Sequence, residues 1–229
     1  MRRWTIAFDA DDTLWHNERD FVLTQDAFAQ MLADFTTPDH LQERLLAAEQ
    51  RNLGIYGFGV KGFTLSMIET ALEVTEGKVP TGVIAKLMSM GRAMLTAPVE
   101  VMDGAREAIN ALKARADILL ITKGDLLDQE RKLAQSGLGD LFDHVEIVSD
   151  KTAEVYTHVF AGYDTPHQMM VGNSMRSDVL PALSCGLWGV HIPHPLTWAY
   201  EQAEAPVTHR HFRQLETISA LPDLISTLS

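Results

Sequence analysis

The chain has little cysteine, no long hydrophobic run and no excess of positive charge. Cys185 is its single cysteine, so an intramolecular disulfide cannot form, which fits a reducing compartment. No apolar run reaches the roughly 20 residues that a membrane-spanning helix needs. Asp9 to Asp12 directly follow the first apolar run and break any signal-peptide core. We therefore expect a soluble, cytoplasmic protein without a membrane partner.

The charge balance is strongly acidic. The 229 residues carry 19 Lys plus Arg against 31 Asp plus Glu, a formal net charge of −12. Nucleic-acid binders need a basic surface, and the longest basic stretch here is Arg2-Arg3, so nucleic acid is not an expected partner. The apolar share of 46% is that of an ordinary globular protein. The length predicts one or two domains with a sizeable core.

Strand-like and helix-like patterns alternate through most of the chain. Short runs of buried character predict strands at Trp4–Phe8, Ile118–Ile121, Val145–Val148, Met169–Val171 and Trp188–Ile192. Helical periodicity predicts helices at Asp103–Arg115, with Asp103 as its N-cap, and at Leu126–Gln135, Thr152–Phe160 and Ser174–Leu183. Strands that alternate with helices predict an α/β fold with a mostly parallel sheet.

Residues 16 to 96 interrupt this alternation. They show no strand pattern, and four helices are predicted at Leu23–Phe35, His40–Arg51, Phe63–Thr75 and Thr81–Met94. About 80 helical residues thus follow the first strand before the alternation resumes. The predicted organisation is a sheet-containing core of residues 1–15 and 97–229 with a helical insertion of residues 16–96.

Polar side chains gather where the predicted strands end. These residues are Asp9, Asp11, Thr122, Lys123, Lys151, Asn173 and Asp178. Ligands of a parallel sheet bind beyond the carboxyl ends of its strands, so we expect these groups at one edge. Three carboxylates there would repel one another unless a cation lay among them, and oxygen donors favour Mg²⁺. An amine and a hydroxyl beside that cation suit a phosphate group.

The residues at these strand ends resemble the four motifs of the haloacid dehalogenase-like superfamily. Phe8-Asp9-Ala10-Asp11-Asp12-Thr13-Leu14 is similar to the first motif, Asp-x-Asp-x-Thr or Val. Thr122 resembles the second motif and Lys151 the third, while Gly172-Asn173-Ser174 with Asp178 resembles the fourth. Asn173 departs from the family pattern, which commonly has an acid there. The resemblance implies a Rossmann-like core with an all-helical cap, here residues 16–96.

The same resemblance implies a Mg²⁺-dependent phosphomonoester hydrolase. Asp9 would be the nucleophile that forms an aspartyl-phosphate, and Asp11 would protonate the leaving alkoxide and then activate water. The Asp9 carboxylate, the Asp11 backbone carbonyl and Asp178 would bind Mg²⁺. Thr122 and Lys151 would hold the transferring phosphoryl oxygens.

The expected partner is a small phosphorylated metabolite. Sugar phosphates, nucleoside monophosphates and phosphoglycolate-like acids all remain open. Lys123 lies beside Thr122 and could add charge to the phosphate site, although a solvated lysine is an equal alternative.

Three other functions are compatible with such a fold. A dehalogenase of the superfamily attacks carbon and lacks the second acid of the first motif, because a halide leaves without protonation. Asp11 therefore argues against that activity. A phosphomutase is not excluded by the sequence. A non-catalytic binding protein of this fold usually loses the nucleophile or the second acid, and Asp9 and Asp11 are both present.

Two further patterns invite a functional interpretation. Gly57–Gly62 matches the dinucleotide-binding pattern Gly-x-Gly-x-x-Gly. However, it follows a predicted helix and not a strand, and the Asp or Glu expected about 20 residues later is missing. We expect a loop over Gly54–Gly62 and predict that Lys61 contacts the leaving group of the substrate, with a flexible solvated turn as the alternative. His191 and His194 are a candidate pair of metal ligands. No third ligand is evident in the sequence, which favours a structural role for both histidines.

Overall fold

The computed structural model describes residues 4–228, which form two compact units. The first unit runs to Glu18 and resumes at Val99, and the second is Arg19–Pro98. The boundaries expected from the sequence lie within three residues of these. Residues 1–3 and 229, which the sequence division assigns to the core, lie outside the described part of the chain.

The first unit contains a parallel six-stranded sheet. Its strands are β1 (Trp4–Phe8), β2 (Ala116–Lys123), β3 (His144–Val148), β4 (His167–Gly172), β5 (Trp188–His191) and β6 (Phe212–Gln214). Their spatial order is β3-β2-β1-β4-β5-β6, and every neighbouring pair is parallel. The predicted α/β fold is confirmed, with β6 as a short edge strand that the sequence pattern does not indicate.

Nine α-helices lie within residues 4–228. They are α1 (Glu18–Met31), α2 (Pro38–Tyr56), α3 (Val60–Val74), α4 (Thr81–Thr96), α5 (Ala105–Leu112), α6 (Leu126–Ser136), α7 (Ala153–Phe160), α8 (Leu180–Ser184) and α9 (Leu221–Leu228). The predicted helix Ser174–Leu183 is divided into a π-helical turn, Met175–Val179, followed by α8. Over the described residues, no helix is both long and apolar enough to cross a membrane.

The strands are apolar on both faces because helices cover both faces. Side chains alternate along a strand, so Ile6 and Phe8 enter one core, with residues of α5 and α9, while Ala7 enters the other, with residues of α7. The carboxyl ends of the strands are left to polar residues, which is where the candidate site lies.

The second unit is built from α1 to α4 around its own core. Phe28 of α1, Leu45 of α2, Met67 of α3 and Leu87 of α4 are buried together. Residues 18–96 are all described and contain no strand, as the sequence pattern predicts.

Two local expectations are wrong. Gly104, with φ +79°, is the N-cap of α5, so Asp103 does not cap that helix. The expected loop Gly54–Gly62 is mostly helical, because α2 continues to Tyr56 and α3 begins at Val60. Lys61 therefore lies in the first turn of α3, where its side chain is exposed.

Candidate active site

Strand register brings the ends of β1, β2 and β4 together. Phe8, the last residue of β1, is opposite Leu120 of β2 and Val171 of β4. The Asp9 backbone N–H donates to the Val171 carbonyl oxygen at 2.9 Å and so continues the β1–β4 ladder by one residue. Asp9 therefore leaves the centre of the sheet beside the end of β4, whereas β2 continues to Lys123.

Asp9, Lys151 and Asp178 form a buried charge cluster. The Lys151 ammonium donates to Asp9 Oδ1, and it donates to Asp178 Oδ1 at 2.7 Å. The side chains of Lys151 and Asp178 are each 1% exposed and that of Asp9 is 9% exposed, so water screens these charges weakly. Three residues from three different strand ends thus meet as the sequence analysis expects.

Thr13 fixes the other oxygen of the Asp9 carboxylate. Its hydroxyl donates to Asp9 Oδ2 at 3.0 Å and accepts from the Asn173 backbone N–H, also at 3.0 Å. The Asn173 side-chain oxygen lies 3.3 Å from the same hydroxyl. Asn173 thus contributes an amide oxygen and no charge at the position where the family commonly has an acid.

The electrostatics of the cluster favour added positive charge. Burial, with the neighbouring Asp178 and Asp11 carboxylates, raises the pKa of Asp9 to about 7, although Lys151 opposes the shift. Burial by itself would lower the pKa of Lys151, but Asp178 and Asp9 outweigh it and raise that pKa, so the ammonium stays charged. When Asp9 is ionised, one ammonium between two buried carboxylates leaves negative charge in excess.

Asp178 is positioned by the turn that follows β4. Its Oδ2 accepts from the Ser174 backbone N–H at 2.9 Å, and it lies in the π-helical turn that precedes α8. Gly172 makes room for this carboxylate, because a Cβ at that position would lie 2.1 Å from Asp178 Oδ2. A glycine at the end of β4 is therefore a steric requirement of the site.

Asp11 is held by a set of donors that the sequence analysis does not identify. Lys132 donates to Asp11 Oδ1 at 3.0 Å, as does the Trp15 indole N–H at 2.7 Å. Gln129 donates to Asp11 Oδ2 at 2.8 Å. Gln129 and Lys132 are both on α6, so this helix orients the second acid of the first motif.

These donors set the charge state of Asp11. Burial raises its pKa, but the Lys132 charge and the hydrogen bonds from Gln129, Lys132 and Trp15 outweigh burial and lower the pKa below its ordinary value. Asp11 is therefore ionised at neutral pH in this arrangement, which suits a base and requires a proton before it can act as an acid.

The two residues at the end of β2 lie in different surroundings. Thr122 is buried at the carboxyl end of the strand, next to β1. Lys123 pairs with the buried Glu201 carboxylate and donates to Ser177 Oγ at 2.7 Å. Glu201 therefore neutralises the charge of Lys123, although it is far away in the sequence. Glu201 also accepts a hydrogen bond from the Ser177 hydroxyl at 2.6 Å. A contact of Thr122 or Lys123 with phosphate stays a prediction.

The donor set of this site fits Mg²⁺. Asp9 and Asp178 supply hard carboxylate oxygens that already converge on one cation, the Lys151 ammonium. Neither cysteine nor histidine takes part in the described cluster. The expected part of the Asp11 backbone carbonyl in metal binding stays a prediction.

The comparisons with known proteins identify the class of the enzyme. A family model described as haloacid dehalogenase-like hydrolase matches residues 5–186. The chain belongs to this family of hydrolases, which confirms the resemblance stated above.

Three known proteins illustrate the range of relatives. A haloacid dehalogenase-like hydrolase from Xanthomonas campestris is 40% identical, with a TM-score of 0.87 over 99% of this chain and 91% of that chain. Pyrimidine 5'-nucleotidase YjjG of Escherichia coli K12 is 25% identical over 197 residues, 80% of this chain and 82% of YjjG. The L-2-haloacid dehalogenase of Xanthobacter autotrophicus with covalently bound chloropropionic acid is 17% identical, with a TM-score of 0.65 over 100% of both chains. At that identity the likeness shows the fold alone.

Proposed function

We propose that this hydrolase cleaves small phosphomonoesters with Mg²⁺ and an aspartyl-phosphate intermediate. The observation that carries the proposal is the buried Asp9 carboxylate held between Lys151 and Thr13, with Asp178 on the same ammonium. Such a carboxylate has a defined orientation and a cationic neighbour that can accompany an incoming phosphate anion.

In this mechanism Asp9 attacks phosphorus and the bond to the leaving oxygen breaks. Lys151, which donates to the Asp9 carboxylate, would also donate to the phosphoryl oxygens as charge develops on them. Asp9 and Asp178 would hold Mg²⁺, which when bound shields the repulsion between the carboxylate and the phosphate. Asp11 gives a proton to the leaving oxygen and then takes one from the water that hydrolyses the intermediate.

The second acid favours a phosphatase over a dehalogenase. Halide departure needs no proton, so a dehalogenase would have no use for Asp11. Here Gln129, Lys132 and Trp15 all donate to that carboxylate. Three donors orient this carboxylate, which supports a role for it in the reaction; its lowered pKa suits the base step, and the acid step requires that it first take up a proton.

A nucleoside monophosphate is the first substrate to test, because the relative YjjG is named a pyrimidine 5'-nucleotidase. The experiment is a phosphate-release screen over nucleoside monophosphates, sugar phosphates and phosphoglycolate with Mg²⁺, run beside halide release from 2-haloacids. Phosphate release from any of these esters supports the proposal. Halide release without phosphate release would instead make the protein a dehalogenase.

Asp11→Asn is expected to impair alkyl phosphates more than aryl phosphates. An alkoxide needs a proton in order to leave, whereas p-nitrophenolate leaves without one. Hydrolysis of the intermediate slows on both substrates because the same residue activates water, so p-nitrophenyl phosphate should give a burst of p-nitrophenolate. Rapid-quench measurement of the first turnover checks this. Equal loss of the first step on both substrates would contradict the acid role.

Lys132→Met is expected to move the alkaline limb of the kcat/KM profile for alkyl phosphates to higher pH. The lysine lowers the pKa of Asp11 by its charge and its hydrogen bond, so its removal raises that pKa, and the protonated acid persists to higher pH. The matched control is Lys113→Met, which removes a lysine that donates to the Asp140 backbone carbonyl. A limb that stays in place in Lys132→Met would separate Lys132 from proton transfer.

Three further expectations also stay predictions. They are the assignment of residues 16–96 as a cap, a substrate contact of Lys61, and a cytoplasmic location. A phosphomutase would transfer the phosphoryl group back to an organic acceptor, so conversion of the substrate into a different phosphate ester without release of inorganic phosphate would identify that alternative.

A further inference from the structure

A second cluster of possible metal ligands lies in the first unit, apart from the Asp9–Lys151–Asp178 cluster. It consists of Asp12, His16 and His194, whose ligand atoms all lie within 4.8 Å of one another. His194 Nε2 is 3.7 Å from Asp12 Oδ1, and the rings of His16 and His194 are 6.3 Å apart at their centroids. The fold thus brings two further candidate ligands, Asp12 and His16, to His194.

We propose that Asp12, His16 and His194 bind a divalent metal ion of intermediate Lewis-acid hardness, with Zn²⁺ as the representative case. Two imidazole nitrogens and one carboxylate are a donor set that suits Zn²⁺, whereas Mg²⁺ prefers oxygen ligands alone. Tetrahedral Zn²⁺ with bonds of about 2.1 Å places ligand atoms about 3.4 Å apart. The observed separations need modest side-chain rotation, for which the half-buried His16 has room.

The carboxylate of this cluster is already oriented. Asp12 Oδ1 accepts from the Asn17 backbone N–H at 2.9 Å, and Oδ2 accepts from the Glu18 N–H at 3.0 Å. Hydrogen bonds of this kind to a ligating carboxylate typically strengthen metal binding. The Asp12 and His194 side chains are 6% and 7% exposed, so the donors are largely shielded from competing water.

His191 does not belong to this cluster. Its Nε2 donates to the Asn173 backbone carbonyl at 3.0 Å, which occupies that nitrogen in a structural contact. The histidines near the end of β5 therefore separate into one that braces the loop after β4 and one that faces Asp12 and His16.

The test is calorimetric titration of Zn²⁺ into the metal-stripped full-length protein, in a large excess of Mg²⁺. The excess Mg²⁺ competes for the carboxylate site, and the readout is binding, so the result does not depend on phosphatase activity. We expect the wild type to bind one equivalent. His16→Gln and His194→Gln should each weaken binding by at least about tenfold. His158→Gln, which removes an exposed histidine of α7, should bind as the wild type does.

A second measurement guards against a variant that simply misfolds. Thermal unfolding without metal compares the folds of the variants, and the visible absorption of bound Co²⁺ reports four-coordinate nitrogen and oxygen ligation. The proposal predicts this absorption in the wild type and in His158→Gln, and its loss in folded His16→Gln and His194→Gln. Three results would overturn it: no Zn²⁺ binding by the wild type, wild-type affinity in either cluster variant, or equal weakening in His158→Gln. Zn²⁺ bound at Asp9 and Asp178 instead would be retained by both cluster variants and so gives the second result.

Discussion

Asp9→Asn is expected to lower phosphatase turnover by roughly 10⁴-fold or more, because an amide cannot replace the attacking carboxylate. The substitution is nearly isosteric, and Lys151 keeps its 2.7 Å hydrogen bond to Asp178, so the fold should persist. Steady-state kinetics on the best substrate from the screen measure the loss, and thermal unfolding measures the stability.

A control and a trapping experiment make this result specific. Asp223→Asn removes an exposed carboxylate in the first turn of α9 and should leave turnover unchanged. Beryllofluoride mimics a phosphoryl group, and in the wild type its adduct should form on Asp9. An adduct on another residue, or substantial turnover by Asp9→Asn, would contradict the proposed mechanism.

Asp178→Asn is expected to raise the Mg²⁺ concentration for half-maximal activity by at least about tenfold, since a charged oxygen ligand is lost. EDTA should abolish the activity of the wild type and added Mg²⁺ should restore it. Asn173→Asp changes the charge in the opposite direction, and its Mg²⁺ requirement should stay the same or fall. Full activity of the wild type in metal-free buffer would refute the assignment of the metal.

Gly172→Ala tests the position of the Asp178 carboxylate without changing Asp178 itself. The added methyl group would meet Asp178 Oδ2, so the carboxylate must move and the Mg²⁺ requirement should rise. Gly139→Ala is the matched control, because a Cβ there meets nothing within 4 Å. An unchanged Mg²⁺ requirement in Gly172→Ala would mean that the position of Asp178 does not govern metal binding.

Most of the fold and the centre of the candidate site can be predicted from local patterns. Strand and helix periodicity are properties of neighbouring residues, and parallel strands place their carboxyl ends at one edge. The meeting of Asp9, Lys151 and Asp178 follows from these two facts. The edge strand β6 is not predicted from the sequence, because its three residues are too few to show a period.

The partners of these groups are decided by how the elements pack. Lys132 is 121 residues from Asp11, and Glu201 is 78 residues from Lys123. Nothing in the sequence near Asp11 or Lys123 indicates these pairs, because they depend on the placement of α6 and of the segment after β5. Asp12 and His16 are close in sequence, yet His194 joins them through the course of the chain beyond β5. Local periodicity therefore accounts for the positions of most strands along the chain and for their polar ends. The order of the strands in the sheet, the charge state of Asp11, the neutralisation of Lys123 and the histidine cluster arise from long-range packing.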